Sequence, residues 1–270
     1  MNGFREDLLE GKTAFVAGGT SGINLAIAEA YVKAGANVAV LSRSQEKVDA
    51  AVKQLSAISA KGRVLGFSAD VRDFDAVNEA LNGAHSKLGP IHITVSGAAG
   101  NFICPAEQLS ANGFKTVVEI DLIGTFNVLR AAYDVCAKPG ASFINISAPQ
   151  STVPFWGQAH VSAAKAGVDM LTKSLAFEWG PHGVRVNAIV PGPIGETEGM
   201  ERLAATPEME AAVIQGVALR RYGKKEDIAN LAMFLAAEMS SYMTGGVYYC
   251  DGGQVLSGGG LMHPEVIAQS

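Results

Sequence analysis

"TAFVAGGTSGINLAIAEA", residues 13–30, decides the fold. The first five residues are apolar or β-branched and read as a buried strand. Gly18, Gly19 and Gly22 follow, and then a run of helix formers. A strand that turns tightly into a helix aims the first N–H groups of that helix, and the positive end of its dipole, at whatever sits beyond the turn. That is an anion site, and the strand-before, helix-after context predicts a bound pyrophosphate rather than a plain glycine turn. The spacing from Gly18 to Gly22 is G-x-x-x-G, not the G-x-G-x-x-G of the common dinucleotide fingerprint.

Outward from this turn the chain keeps one rhythm. Short apolar runs at 37–41, 63–67, 91–96, 142–147, 185–190 and 247–250 alternate with helical patterns near 23–34, 45–59, 74–88, 109–137, 158–180, 200–218 and 225–238. Most of the runs lack polar alternation, as parallel strands covered on both faces do. The expectation is an α/β fold: one domain over 1–270, a Rossmann-like doubly wound parallel sheet of about seven strands with helices on both faces. No linker, repeat or low-complexity stretch divides it.

The chain has 270 residues, 48% hydrophobic and 17% charged, with a formal net charge of −5. This is a globular composition with enough apolar residues for a large core. A mildly acidic chain is a poor nucleic-acid binder, so no nucleic-acid partner is expected. No apolar run reaches the length of a membrane span, so no membrane partner is expected either. Cys104, Cys136 and Cys250 are far apart and not in ligand spacing, which predicts free thiols and no metal. The opening "MNGFREDLLEGK" has no apolar signal region and the closing "IAQS" is not an S-K-L type address, so the cytoplasm is the expected location.

The second strand ends "VLSRSQ" (40–45). An acidic residue there would bind the ribose hydroxyls of NAD. Arg43 stands there instead, between Ser42 and Ser44, and offers a guanidinium to a 2′-phosphate, so NADP is the expected cofactor.

Several motifs coincide with those of the short-chain dehydrogenase/reductase family: "GGTSGI" (18–23), "ADV" (69–71), "PGPI" (191–194), "TGGVYYCDGG" (244–253), and Lys165 at the lysine of the family's Y-x-x-x-K. The resemblance covers nearly the whole chain. It implies a nicotinamide cofactor and a homodimer or homotetramer joined through the long helices. It assigns cofactor contacts to Gly18, Thr20, Ser21, Gly22 and Ile23 in the loop, to Ser42 and Arg43, and to Asp70 and Val71 at the adenine. It adds Ala99 and Gly100, then Lys165, and then Pro191, Gly192, Ile194 and Thr197 toward the nicotinamide.

The chain departs from the family at its centre. The catalytic tyrosine is Val161, the catalytic serine is Ala148, the helix asparagine is Asp121, N-N-A-G reads "GAAG" (97–100), and the last loop glycine is Asn24. Ordinary alcohol–ketone interconversion would lack its proton donor. The stretches 98–128, 160–169 and 178–199 closely resemble the peroxisomal type of 2,4-dienoyl-CoA reductase, which also lacks the tyrosine and also carries the aspartate. That resemblance implies NADPH-dependent reduction of a 2,4-dienoyl-CoA to a 3-enoyl-CoA, with Asp121 and Lys165 as catalytic residues acting through a water. It implies an acyl-CoA substrate held by Arg43, Arg72 and Arg202, with Phe102, Ser110 and Asn112 near the thioester and pantetheine arm, and a lid over about 197–220. Two alternatives remain open: an atypical short-chain reductase of another enone or enoyl thioester, and a dinucleotide-binding regulator without catalysis. His160 matches a subfamily histidine, and His92 reads as structural.

Overall fold

The computed structural model describes residues 4–58, 62–197, 199, 200, 204 and 206–257. Seven strands run through it: β1 (Thr13–Ala17), β2 (Asn37–Ser42), β3 (Val64–Ser68), β4 (Ile93–Ser96), β5 (Ser142–Ile146), β6 (Arg185–Pro191) and β7 (Val247–Cys250). They form one sheet in the order β3-β2-β1-β4-β5-β6-β7, parallel at every pairing. All five residues of β1 are buried, which is why its sequence shows no polar alternation.

Helices α1 (Gly22–Lys33), α2 (Gln45–Ile58) and α8 (Lys225–Ala236) cover one face of the sheet. Helices α3 (Phe74–Leu88), α5 (Gly124–Val135) and α6 (Ala159–Trp179) cover the other. Helix α4 (Ala111–Val118) packs on the front of α6, and α7 (Pro207–Gly216) precedes α8. Each face has its own core, Ile27, Tyr31, Leu55 and Ile228 on one side and Phe15, Leu81, Leu129 and Phe143 on the other.

Two sequence expectations change. The helix expected over 109–137 is two helices joined by a π turn at Glu119–Ile123, so one residue too many for an α-helix is accommodated between α4 and α5. Of the helix expected near 200–218, the described part is α7; Glu201, Arg202, Leu203 and Ala205 lie outside the described residues. Among the described residues, no helix is long and apolar enough to cross a membrane, and no three His, Cys, Asp or Glu side chains are grouped to hold a metal.

The strand order reverses between β1 and β4. Chains leave these two strands on opposite sides, so a crevice opens beyond their carboxyl ends. The 18–22 glycine turn follows β1 and the 97–100 segment follows β4, so both border that crevice.

Candidate active site

The glycine turn is shaped for close approach. Gly18 has φ +78 and a Cβ there would fall 2.9 Å from the Ala98 amide nitrogen. Gly22, the first residue of α1, has φ +56 and a Cβ on it would meet nothing within 4 Å. The Ser21 side chain does not cap α1, which leaves the first N–H groups of that helix for an anion. A concavity of about 260 Å3 begins here and is bounded by Thr20, Ser42, Arg43, Asp70 and Val71. Lys47, in the first turn of α2, also borders it. These residues fit a dinucleotide: an uncapped helix start for the pyrophosphate, and two cations beside the end of β2.

The second cavity, about 240 Å3, meets the first at Ala99 and lies over the ends of β4, β5 and β6. Ile23, Gly100, Lys165, Pro191, Gly192, Ile194 and Thr197 line it. Every expected cofactor residue therefore borders one of the two cavities except Gly22, which lies between them.

Asp121 and Lys165 face each other in this second cavity. Lys165 Nζ is 3.3 Å from Asp121 Oδ2, with the two side chains 6% and 1% exposed. The π turn places Asp121 against the 97–100 segment, where Oδ1 accepts the Gly100 N–H at 2.7 Å. Oδ2 has no hydrogen-bond partner beyond the ion pair. Lys165 also donates to the Ile146 carbonyl at 3.0 Å, which fixes it at the end of β5. An ammonium has three donors, so one remains for the cavity. One turn before Lys165, Val161 is buried against Val117 and Ala164, and its side chain lines the same cavity with Ala148. Val161 and Ala148, where the resemblance expects hydroxyls, thus line the same cavity as the buried ion pair. Ser147 keeps a buried hydroxyl without a partner beside them.

His160 is fully buried and stacks on Phe102, centroids 4.3 Å apart. Its Nε2–H donates to the Phe102 carbonyl at 3.1 Å, leaving Nδ1 bare. Burial pushes its pKa below the ordinary histidine value. The remaining substrate candidates are not brought into the cavity. Ser110 caps α4 by accepting the Gly113 N–H at 3.0 Å, and Asn112 is exposed on that helix. Arg72 is held by two bonds to Asp70, at 3.0 and 2.6 Å, and its guanidinium keeps that carboxyl below the usual range. Arg43 lies 4.0 Å from the same carboxylate. Arg202 lies outside the described residues.

Sequence reasoning passed over the polar side chains of the loop from β5 into α6. Gln150 and Gln158 line the cavity with Asn101, beside Phe155 and Trp156. The only signal was two glutamines flanking the aromatic pair in "APQSTVPFWGQAH" (148–160).

A family profile described as enoyl-(acyl carrier protein) reductase matches residues 17–254. The chain is 42% identical to the peroxisomal 2,4-dienoyl-CoA reductase of Danio rerio, over 94% of this chain and 85% of that protein. It is 41% identical to the peroxisomal enzyme of that name from Saccharomyces cerevisiae, over 99% and 93% of the two chains. Among solved structures, a short-chain dehydrogenase from Bacillus anthracis superposes with a TM-score of 0.83 at 37% identity, covering 92% of this chain and 97% of that one. These relatives overturn the cytoplasmic expectation. Those of Danio rerio, Saccharomyces cerevisiae and Arabidopsis thaliana are named peroxisomal and point to that organelle. The expectation rested on two kinds of terminal signal, and location is set by short receptor-read addresses rather than by the fold.

Proposed function

The chain belongs to the short-chain dehydrogenase/reductase family of oxidoreductases, which use a nicotinamide dinucleotide, and from that premise we propose that it reduces a 2,4-dienoyl-CoA to a 3-enoyl-CoA with NADPH. The observation that carries the reading is the buried Asp121–Lys165 pair facing a cavity in which Val161 and Ala148 replace the family's hydroxyls. An alcohol–ketone reductase needs a hydroxyl acid for the alkoxide. A conjugated thioester does not, because reduction at its δ-carbon leaves the charge delocalised and the proton goes to carbon.

When bound, the cofactor supplies a hydride to the δ-carbon. The chain does the rest. Lys165 places positive charge beside the developing anion in a site sheltered from water. Asp121, oriented by Gly100, holds a water with Lys165 and passes its proton to the α-carbon. One hydride and one proton are added, two double bonds become one, and the new double bond lies between the β- and γ-carbons. Arg43 and Lys47 give NADPH its advantage over NADH through the 2′-phosphate. Arg43, Arg72 and Arg202 are assigned to the CoA phosphates, with Phe102, Ser110 and Asn112 along the arm. Arg72 must exchange Asp70 for phosphate to serve there. The lid on the acyl chain is assigned to about 197–220, and of the described residues in that range Met200 and Val213 line the cavity. The protein works as a homodimer or homotetramer.

The test is steady-state reduction of a dienoyl-CoA, followed by loss of NADPH absorbance. Asp121→Asn keeps the shape and removes the charge, so kcat falls about 10²-fold while NADPH still binds. A variant with the unmodified kcat ends this mechanism.

A further inference from the structure

Besides Ser147, Thr197 and Gln254, the catalytic cavity carries two groups of polar side chains. One is the Asp121–Lys165 pair. The other is a chain of amides across two segments, the one after β4 and the loop from β5 into α6. Gln150 Nε2 donates to Gln158 Oε1 at 2.8 Å, and Gln158 Nε2 donates to Asn101 Oδ1 at 2.7 Å. Gln158 is only 3% exposed, and both heteroatoms of its amide are engaged, so its plane is fixed by its two neighbours. An amide buried at a cavity wall is costly unless fully bonded, and an aliphatic residue would pack there at lower cost. The chain therefore has a use other than stability.

Its polarity suggests what that use is. Each amide accepts from the one before and donates to the next, so the chain ends in donors, on the Asn101 NH2. That group, at the exposed end, donates no hydrogen bond within the described residues. The opposite end, Gln150 Oε1, is a buried acceptor without a partner. Aligned amides polarise one another, which strengthens the terminal donor. On the reading proposed above, negative charge gathers on the thioester oxygen, and the hydroxyls that could have met it are Val161 and Ala148 here.

We propose that the Gln150–Gln158–Asn101 amide chain holds the thioester carbonyl of the substrate, with Asn101 donating to that oxygen and Gln158 as its positioning residue. The proposal rests on the dienoyl-thioester reading. Neutral donors suit this task, since a carboxylate at Asn101 would repel the charge that forms.

The experiment compares the unmodified protein with Asn101→Ala, Gln158→Leu and Gln158→Glu. Gln158→Glu keeps the size and the bond from Gln150 but cannot donate, so Asn101 turns its NH2 inward. Turnover of a dienoyl-CoA is measured together with the affinity, in the presence of NADP, of a saturated acyl-CoA and of its thioether analogue, which lacks the carbonyl oxygen. The unmodified protein binds the thioester more tightly than the thioether. In Asn101→Ala and Gln158→Glu that preference is lost, and kcat falls on the order of 10²-fold as when an oxyanion donor is removed, while NADPH affinity is unchanged. A merely structural role would not alter the thioester-to-thioether ratio. If the unmodified protein reduces the dienoyl-CoA and Asn101→Ala, whose side chain lies at the exposed end, keeps both kcat and the ratio, the inference is overturned and the reading stands. If the unmodified protein reduces no dienoyl-CoA, both fall together.

Discussion

Asn24 and Gly97 were two separate oddities in the sequence, and in the structure they are one exchange. Asn24 stands where the family has a glycine and reaches across to donate to the Gly97 carbonyl at 2.8 Å. A Cβ on Gly97, where the family has asparagine, would land on the Asn24 amide. One amide has moved from one side of the crevice to the other. Gly97→Asn alone is therefore expected to cost about 1–3 kcal/mol by overpacking, and adding Asn24→Gly recovers part of that loss. Urea unfolding of the four members of the cycle measures this, and strict additivity would sink it. At the far end of the same crevice, Arg43→Asp is expected to narrow the preference for NADPH over NADH, read from the two dissociation constants; equal binding of both by the unmodified protein removes the premise. Asp121 and Lys165 were legible because they sit at fixed offsets inside recognisable motifs. Gln158 was not, since a glutamine in a loop has many fates and only the fold brings Asn101 and Gln150 to it.

Among the elements, the strands and most helices were readable from periodicity alone, because buried parallel strands and amphipathic helices leave clean patterns. The π turn was invisible. Between Gly113 and Gly124 no glycine or proline breaks the pattern, so 109–137 reads as one helix. Thr125 completes the turn by donating its hydroxyl to the Asp121 carbonyl at 2.7 Å. Another hidden stitch joins β1 to β4, the strands that open the crevice: His92 Nδ1 accepts the Thr13 N–H at 3.1 Å. Burial, and then the nearby Lys12, lower the His92 pKa from its ordinary 6.5. The unfolded chain thus takes the proton first, and stability present near neutrality is lost as pH falls through and below about 6.5. Protonation also removes the acceptor for Thr13. The urea midpoint is expected to drop between pH 7.5 and 5, and to drop less in His92→Asn, which does not titrate. Equal pH slopes in both proteins would dismiss the role of His92.

For the whole molecule, the apolar surface that remains uncovered lies partly on α5 and α6. Met170 and Phe177, seven residues apart and so on one face of α6, are 60% and 88% exposed. Ile123, at the end of the π turn, and Phe126, in the first turn of α5, are also exposed. Single apolar side chains at a surface mean little, but a shared helix face invites a second copy of the chain. Sedimentation at micromolar concentration is expected to give more than one chain per particle, and Phe177→Glu to shift it toward the single chain. A monomer before substitution would assign these side chains no partner.

On the function proposed above, Val161 also determines what this protein leaves alone. Acyl thioesters occur as alcohols and ketones as well as dienes, and all share one carrier arm. A site that admits that arm would meet them all. Oxidising an alcohol requires a group to take the hydroxyl proton as hydride departs, and the two positions that would provide one hold an alanine and a valine, the latter packed among Val117 and Ala164. On that proposal, hydroxyacyl and ketoacyl thioesters are expected to enter and leave unchanged. The lost hydroxyls thus act as a filter on reaction type, with selectivity set by omission in a site whose fit to the carrier cannot provide it.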